Sequence, residues 1–141
     1  MLNARLLDNH TLHNIALAIC DFDPPERWSV YYAVRDIAYG RLREIPASET
    51  IVMTNALTRE APREAEAWEA ILQLAAARNA PLVAVTLDCP LEENCRRVQF
   101  RERLEDRKLV EPTSLIEWRS SGAFTLIDDG ADHCLTIETA N

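Results

Sequence analysis

Glycine and lysine are scarce in this chain of 141 residues. The three glycines, Gly40, Gly122 and Gly130, stand far apart, and the single lysine, Lys108, follows an arginine. A phosphate-binding loop of the form G-x-x-x-x-G-K-[ST] and a dinucleotide fingerprint G-x-G-x-x-G both need closely spaced glycines. Neither motif is therefore present in these residues.

Basic residues and long apolar runs are also in short supply. Fifteen basic against 23 acidic side chains give a formal charge of −8, which disfavours the basic face that nucleic-acid binding needs. No apolar run approaches the roughly 18 residues of a membrane span, and no secretion signal opens the sequence. We therefore expect neither a nucleic-acid nor a membrane partner.

The four cysteines are Cys20, Cys89, Cys95 and Cys134, and none of them forms a C-x-x-C pair. Three of them lie in apolar runs, which is typical of buried free thiols in a reducing compartment. The sequence thus predicts a cytoplasmic protein without disulfides.

Hydrophobic residues make up 48% of the chain and charged residues 27%, as in a folded globular domain. Short apolar runs predict strands at 4–7, 50–55, 81–87, 124–127 and 134–138. Helical periodicity predicts helices at 11–20, 23–43, 62–78, 90–100 and 112–120, with a second charged helix or lid reaching 108. Strands separated by helices need crossovers, so we expect a single α/β domain over residues 1–141 with a mainly parallel sheet.

Three finer expectations follow from local residue types. Asp23 is predicted to cap the second helix, and Asn79 to end the third helix in the left-handed conformation. The nearly continuous apolar run 81–87 predicts a strand that is covered on both faces. The last two strands are predicted to form a hairpin across 128–130.

Polar side chains follow three of the predicted strands, at Asp8-Asn9-His10, Thr54-Asn55 and Asp88-Cys89. In an open parallel sheet, ligands collect beyond the carboxyl ends of the strands. The same residue types are also the usual N-caps of following helices. From spacing alone, both interpretations stay open.

The segment from Glu92 to Lys108 holds six basic and five acidic residues. Arginine forks bind phosphate oxygens bidentately, and arginine-bearing lids stabilise charge in phosphoryl transfer. The alternative is a solvated helix with internal ion pairs, such as Glu93 with Arg97 at four-residue spacing. A further hypothesis, a metal hydrolase, rests on His10 and His13, which share a helical face.

The runs L-L-D-N-H-T-L-H-N (6–14), V-M-T-N-A-L-T-R (52–59) and V-T-L-D-C-P-L-E-E-N-C-R-R (85–97) together resemble the P-loop small-molecule kinases. The closest likeness is to shikimate- and gluconate-kinase-like ATP-binding proteins. The resemblance implies a three-layer parallel-sheet domain and ATP-dependent phosphorylation of a small hydroxylated metabolite, with ATP and Mg²⁺ as cofactors.

The resemblance also implies roles for particular residues. Asp8 occupies the place of the acidic residue that contacts the substrate hydroxyls, and Asn9, Asn55 and Arg59 would complete the substrate-binding set. Arginines of a lid at about 96–111 would meet the ATP phosphates, with Arg97 and Arg101 also catalytic. The nucleotide-binding candidates are Arg97, Arg101, Arg103 and Arg107.

The sequence departs from the family at its start. In the family, a central first strand, the phosphate loop and the first helix precede the segment that begins here at Ala4. Without the backbone cradle, the lysine and the hydroxyl that holds magnesium, we expect the 141-residue chain to be inactive. The chain is then either an incomplete reading of a kinase or a non-catalytic α/β module. Such a module would form a homodimer or bind another chain through the vacant sheet position.

Overall fold

The computed structural model describes residues 4–21, 25–105, 108–121 and 125–140. The elements in chain order are β1 (Ala4–Asp8), α1 (Asn9–Ile19), α2 (Pro25–Arg43), β2 (Thr50–Thr54), α3 (Pro62–Ala77), β3 (Val83–Asp88), α4 (Leu91–Val98), α5 (Arg101–Glu105), α6 (Pro112–Ser120) and β4 (His133–Glu138). The predicted α/β class is confirmed. Across the described ranges, no helix combines the length and the apolar character needed to cross a membrane.

The chain divides into two compact units. One unit consists of residues 1–56 and 70–81, and the other of residues 57–69 and 82–141. Each unit contains its own two-stranded parallel sheet, β1–β2 in the first and β3–β4 in the second. The predicted parallel pairing is therefore confirmed, whereas the described strands form two small sheets instead of the one sheet that was predicted.

The helices begin and end near the proline, asparagine and aspartate residues that predicted their ends, except that α1 starts earlier. Prolines open α2, α3 and α6, where the missing N–H costs nothing and the fixed φ suits a first turn. Asn79 adopts the left-handed conformation at φ 50°, as predicted. Helix α1 begins at Asn9, two residues earlier than expected, because Asp8 is its N-cap. The predicted cap at Asp23 lies outside the described residues.

The sheet of the first unit has one packed face and one open face. In the β1–β2 register, Leu6 lies opposite Val52 and Asp8 lies opposite Thr54. Because side chains alternate along a strand, Leu7 points the other way and packs against the α1–α2 core. Leu6 and Val52 stay 66% and 43% exposed. Asp8 and Thr54 share this open face.

The core of the first unit joins α1 to α2. Leu12 and Tyr31 are each 5% exposed, and Ala16 is completely buried. Trp28, Tyr32 and several aliphatic side chains pack around them. Removing these side chains from water supplies roughly 2 kcal/mol for each large one, which holds α1 against α2.

The predicted hairpin at the end of the chain is wrong. Strand β4 pairs parallel with β3, from Val83 opposite His133 to Asp88 opposite Glu138. Leu126 instead makes an isolated antiparallel bridge with Thr58, and Phe124 lies outside the described residues. Strand β4 pairs with the distant β3 because six residues of β3 form a complete hydrogen-bonded ladder with it. The segment around Leu126 offers no such ladder.

The prediction that β3 is covered on both faces is also wrong. Val83, Val85 and Leu87 are 46%, 49% and 67% exposed, and Leu135 and Ile137 beside them are 55% and 48% exposed. These five side chains form what we call the aliphatic face: Val83, Val85, Leu87, Leu135 and Ile137. They stay accessible because β3 has one neighbouring strand and no described element buries this side of the sheet.

The charged segment forms two short helices, which agrees with the prediction of a helix followed by a second charged helix or lid. Helix α4 ends at Val98, two residues before the predicted end, with Gln99 as its C-cap, and α5 covers Arg101–Glu105. Helix α4 packs on α6, where Val98 and Leu115 are both 4% exposed.

All four cysteines are free, but only Cys89 is buried and Cys134 is exposed. The expectation of buried thiols therefore fails for Cys134, which faces outward from β4.

Candidate functional site

The carboxyl ends of β1 and β2 bring Asp8 and Thr54 together, because the parallel register places them opposite each other. The Thr54 hydroxyl donates a hydrogen bond to Asp8 Oδ1 at 2.5 Å. The backbone N–H and the hydroxyl of Thr11 donate to Asp8 Oδ2 at 3.1 Å and 3.3 Å. Asp8 is therefore a helix cap and a strand-end carboxylate at once, so the two interpretations of this residue are compatible.

These hydrogen bonds fix the charge of Asp8. The Thr54 hydroxyl, and after it the Thr11 donors, hold the pKa of the Asp8 carboxyl below its usual value, although partial burial opposes them. At neutral pH the group is ionised and can only accept hydrogen bonds. It is therefore suited to orient a hydroxyl group and poorly matched to taking a proton near pH 7.

Tyr31 fixes the side chain of Asn9, which follows Asp8. The Tyr31 hydroxyl donates to Asn9 Oδ1 at 2.7 Å, and the Asn9 backbone N–H donates to Thr54 Oγ1 at 3.3 Å. Burial raises the pKa of Tyr31, so this phenol stays protonated and remains a donor. Because its oxygen is engaged, the Asn9 amide presents its N–H groups for any further contact.

His13 lies one helical turn after Asn9 and stacks on the Tyr31 ring, with the centroids 4.2 Å apart. Trp28 meets the same imidazole edge-on at 5.6 Å. Burial, and then the charges of His10 and Arg27, lower the pKa of His13, so the ring is neutral at pH 7. The described residues contain no group of three or more His, Cys, Asp or Glu side chains that could hold a metal ion.

We expect His13 to make stability depend on pH. The unfolded residue titrates near its ordinary pKa of about 6.5, and the folded residue titrates lower. Between those two values the unfolded chain binds more protons, so the free energy of unfolding falls as pH falls through that window. His13→Phe keeps a ring on Tyr31 and should flatten the dependence, measured as urea midpoints between about pH 5 and pH 7.5. His133→Gln, at an exposed histidine, is the control and should leave it unchanged.

The remaining predicted substrate residues are Asn55, next to Thr54 in the chain, and Arg59. Asn55 is exposed just after β2. Arg59 belongs to the second unit, where its guanidinium pairs with Asp128 at 3.0 Å and also with Asp129. Trp68 Nε1 donates to the Asp129 carbonyl at 2.8 Å and holds the same loop. Arg59 thus stabilises a loop of its own unit.

The predicted nucleotide-binding arginines are also in the second unit. Arg97 bonds to Glu93 and Thr139, and Arg103 Nε donates to the Leu109 carbonyl at 3.1 Å. Arg101 lies exposed on α5, and Arg107 lies outside the described residues. Each nitrogen of Arg97 already donates to Glu93 or Thr139, and the sequence has no glycine cradle. The residues present therefore do not fit ATP with Mg²⁺.

Sequence analysis named Thr54 among the strand-end residues but missed its bond to Asp8, and it missed Tyr31, the partner of Asn9, and Thr139, the partner of Arg97. Thr54 carried a signal, since it ends a strand parallel to that of Asp8. Tyr31 and Thr139 carried no signal, because their partners are 22 and 42 positions away.

Comparison of the chain with protein-family models, with curated proteins and with solved structures finds no match.

Proposed function

We propose that this chain is a P-loop kinase-like protein that keeps the end of the fold that binds a small hydroxylated metabolite. In this proposal the chain does not phosphorylate that metabolite by itself. The observation that carries the proposal is the Asp8 carboxylate at the carboxyl end of the parallel β1–β2 pair. It is held by Thr54 at 2.5 Å, and Asn9 stands beside it.

The chemistry of the cluster supports a hydroxyl-binding role. The ionised Asp8 accepts a hydrogen bond from a hydroxyl group, and charge-assisted bonds of this kind are roughly twice as strong as neutral ones. The Asn9 amide can donate to a neighbouring oxygen of the same compound. Because the residues present do not fit ATP, no phosphoryl-transfer step is assigned to this chain.

The strand order supports the finer fold assignment. Both pairs, β1–β2 and β3–β4, are parallel and are joined within each pair by helical crossovers. Such pairs are the building units of parallel α/β sheets with helices on both sides. The three-layer P-loop kinase fold is the larger arrangement that we propose from them.

Thermal shift with shikimate, gluconate and glycerol at millimolar concentration tests the proposed binding. A compound bound at Asp8 stabilises the folded state by mass action and raises the melting temperature of the wild-type chain. Asp8→Asn is the matched variant, since asparagine caps a helix as well as aspartate does but lacks the charge. We expect binding to this variant to weaken about tenfold. A response that is equal in both proteins, or absent in both, would contradict the proposal.

A second candidate function, a self-associating module, is favoured by the aliphatic face. Parallel sheets are normally covered on both sides, and two-stranded sheets are marginally stable alone. Adjacent exposed aliphatic side chains of this kind mark interaction surfaces.

Val85→Lys tests self-association, because a charge on the aliphatic face opposes burial. If copies associate there, we expect sedimentation to change from a concentration-dependent mixture to a monomer. Ile37→Lys, at a side chain that is 76% exposed on α2, is the control and should leave association unchanged. A wild-type chain that stays monomeric at all concentrations would exclude this candidate.

A further inference from the structure

Each of the three nitrogens of the Arg97 guanidinium group donates a hydrogen bond inside the second unit. Its Nε donates to Glu93 Oε1 at 2.6 Å, one turn earlier on α4. One terminal nitrogen donates to Thr139 Oγ1 at 3.0 Å, and the other donates to the Thr139 carbonyl at 2.5 Å. All three nitrogens of this side chain therefore have acceptors, and two of the three bonds go to a single residue after β4.

Thr139 in turn is bonded to the end of β3. Its backbone N–H donates to the Asp88 carbonyl at 2.7 Å, and its hydroxyl donates to the same oxygen at 2.9 Å. The Asp88 carboxylate accepts from Arg119 of α6 at 2.8 Å. The ends of β3, β4, α4 and α6 are thus connected through one continuous set of hydrogen bonds.

From this connection we infer that Arg97 is a clamp that fixes the end of β4 to α4 and β3, and that it is not a ligand of nucleotide phosphates. The inference goes beyond the proposed function, since it needs neither Asp8 nor a bound metabolite. Arginine is suited to this task because its planar fork reaches several acceptors with little further loss of freedom.

Electrostatics oppose a phosphate at the same place. The hydrogen bonds from Arg96, and then from Arg97, lower the pKa of Glu93 to about 2, so the Glu93 carboxylate is ionised at any pH near neutrality. A phosphate that replaced the two Thr139 acceptors would add its negative charge beside Glu93. It would also release Thr139 from its bonds to Arg97. A phosphate bound in place of the Thr139 acceptors and the clamp therefore exclude each other.

Two glutamine variants separate the clamp from ordinary ion pairing. Arg97→Gln removes the bonds to Thr139, whereas Arg96→Gln removes an exposed pair with the same Glu93 and a contact with the Phe100 ring, and leaves Thr139 untouched. We expect the Thr139 amide to exchange at least about tenfold faster in Arg97→Gln, with a melting temperature lower by several degrees. Arg96→Gln should leave both near wild type. Equal behaviour of the two variants would overturn the clamp.

Mg²⁺-ATP and tripolyphosphate are the probes for the excluded role. With either probe at millimolar concentration, we expect no rise in the melting temperature of the wild-type chain. A concentration-dependent rise that disappears in Arg97→Gln would overturn the inference. Should Arg97→Gln fail to fold, Thr139→Val removes the hydroxyl that accepts from Arg97 and donates to the Asp88 carbonyl, and it should still speed exchange at residue 139. The wild-type probe measurement stands in either case.

Discussion

Replacing Asp8 by alanine is expected to lower the free energy of unfolding by about 2 kcal/mol, because the change removes a helix cap and the acceptor of the Thr54 hydroxyl together. Asp8→Asn should cost less, since the amide oxygen still caps α1. Urea denaturation of the two variants beside wild type measures the difference. Asp36→Ala, at an exposed residue of α2 that pairs with its neighbour Arg35, is the control and should stay within about 0.5 kcal/mol of wild type.

The Asp8 carboxylate should also make the free energy of unfolding depend on pH in acid. The pKa of Asp8 is lowered in the folded state, so its contribution is complete above the unfolded value of about 3.9. The contribution is lost as pH falls through the folded pKa. We therefore expect the stability difference between wild type and Asp8→Ala to shrink below about pH 4. A difference that stays constant into strong acid would show that the charge of Asp8 contributes nothing.

Leu12→Ala should destabilise the chain by about 3 kcal/mol, since Leu12 is 5% exposed in the centre of the α1–α2 core and its truncation leaves a cavity. Ile15→Ala is the matched control on the same helix, because Ile15 is 46% exposed and loses far less packing. Chemical denaturation of both variants provides the comparison. Similar losses in the two variants would mean that α1 does not pack through the face containing Leu12.

The helices were predictable because their signals are local. The prolines at the start of α3 and α6, the left-handed Asn79 and the Asp8 cap act within one or two turns of the chain. The end of α4 was less clear in the sequence, since residues on both sides of Gln99 favour helix about equally. Local preference therefore placed the elements to within a few residues.

Strand pairing was harder to predict because it depends on distant residues. The turn residues 128–130 suggested a hairpin, yet β4 pairs with β3 about 50 positions earlier. The apolar residues of β3 suggested burial on both sides, although burial depends on which elements cover the sheet. The exposed Val85 and Leu87 show that an apolar run in the sequence does not reveal whether other elements will bury both faces of the strand.

The candidate site was predictable only in part for the same reason. Asp8 stood out as the residue that ends an apolar run, and the parallel-strand rule placed Thr54 near it. The Tyr31 hydroxyl on Asn9 and the Thr139 acceptors of Arg97 join residues that no local pattern connects. Charge spacing correctly predicted the pair of Glu93 with Arg97. It could not predict that the same arginine also reaches Thr139 after β4.

The most direct test of the account is a calorimetric titration of the wild-type chain with a hydroxylated compound that stabilises it, with and without Mg²⁺-ATP. The account predicts that the compound binds with the same Kd in both titrations, because an acceptor site at Asp8 is present and a nucleotide site is not. By reciprocity, any change in that Kd would require ATP to bind and to be coupled to the acceptor site. Tighter binding in the presence of Mg²⁺-ATP would contradict the account and assign the chain a working nucleotide site.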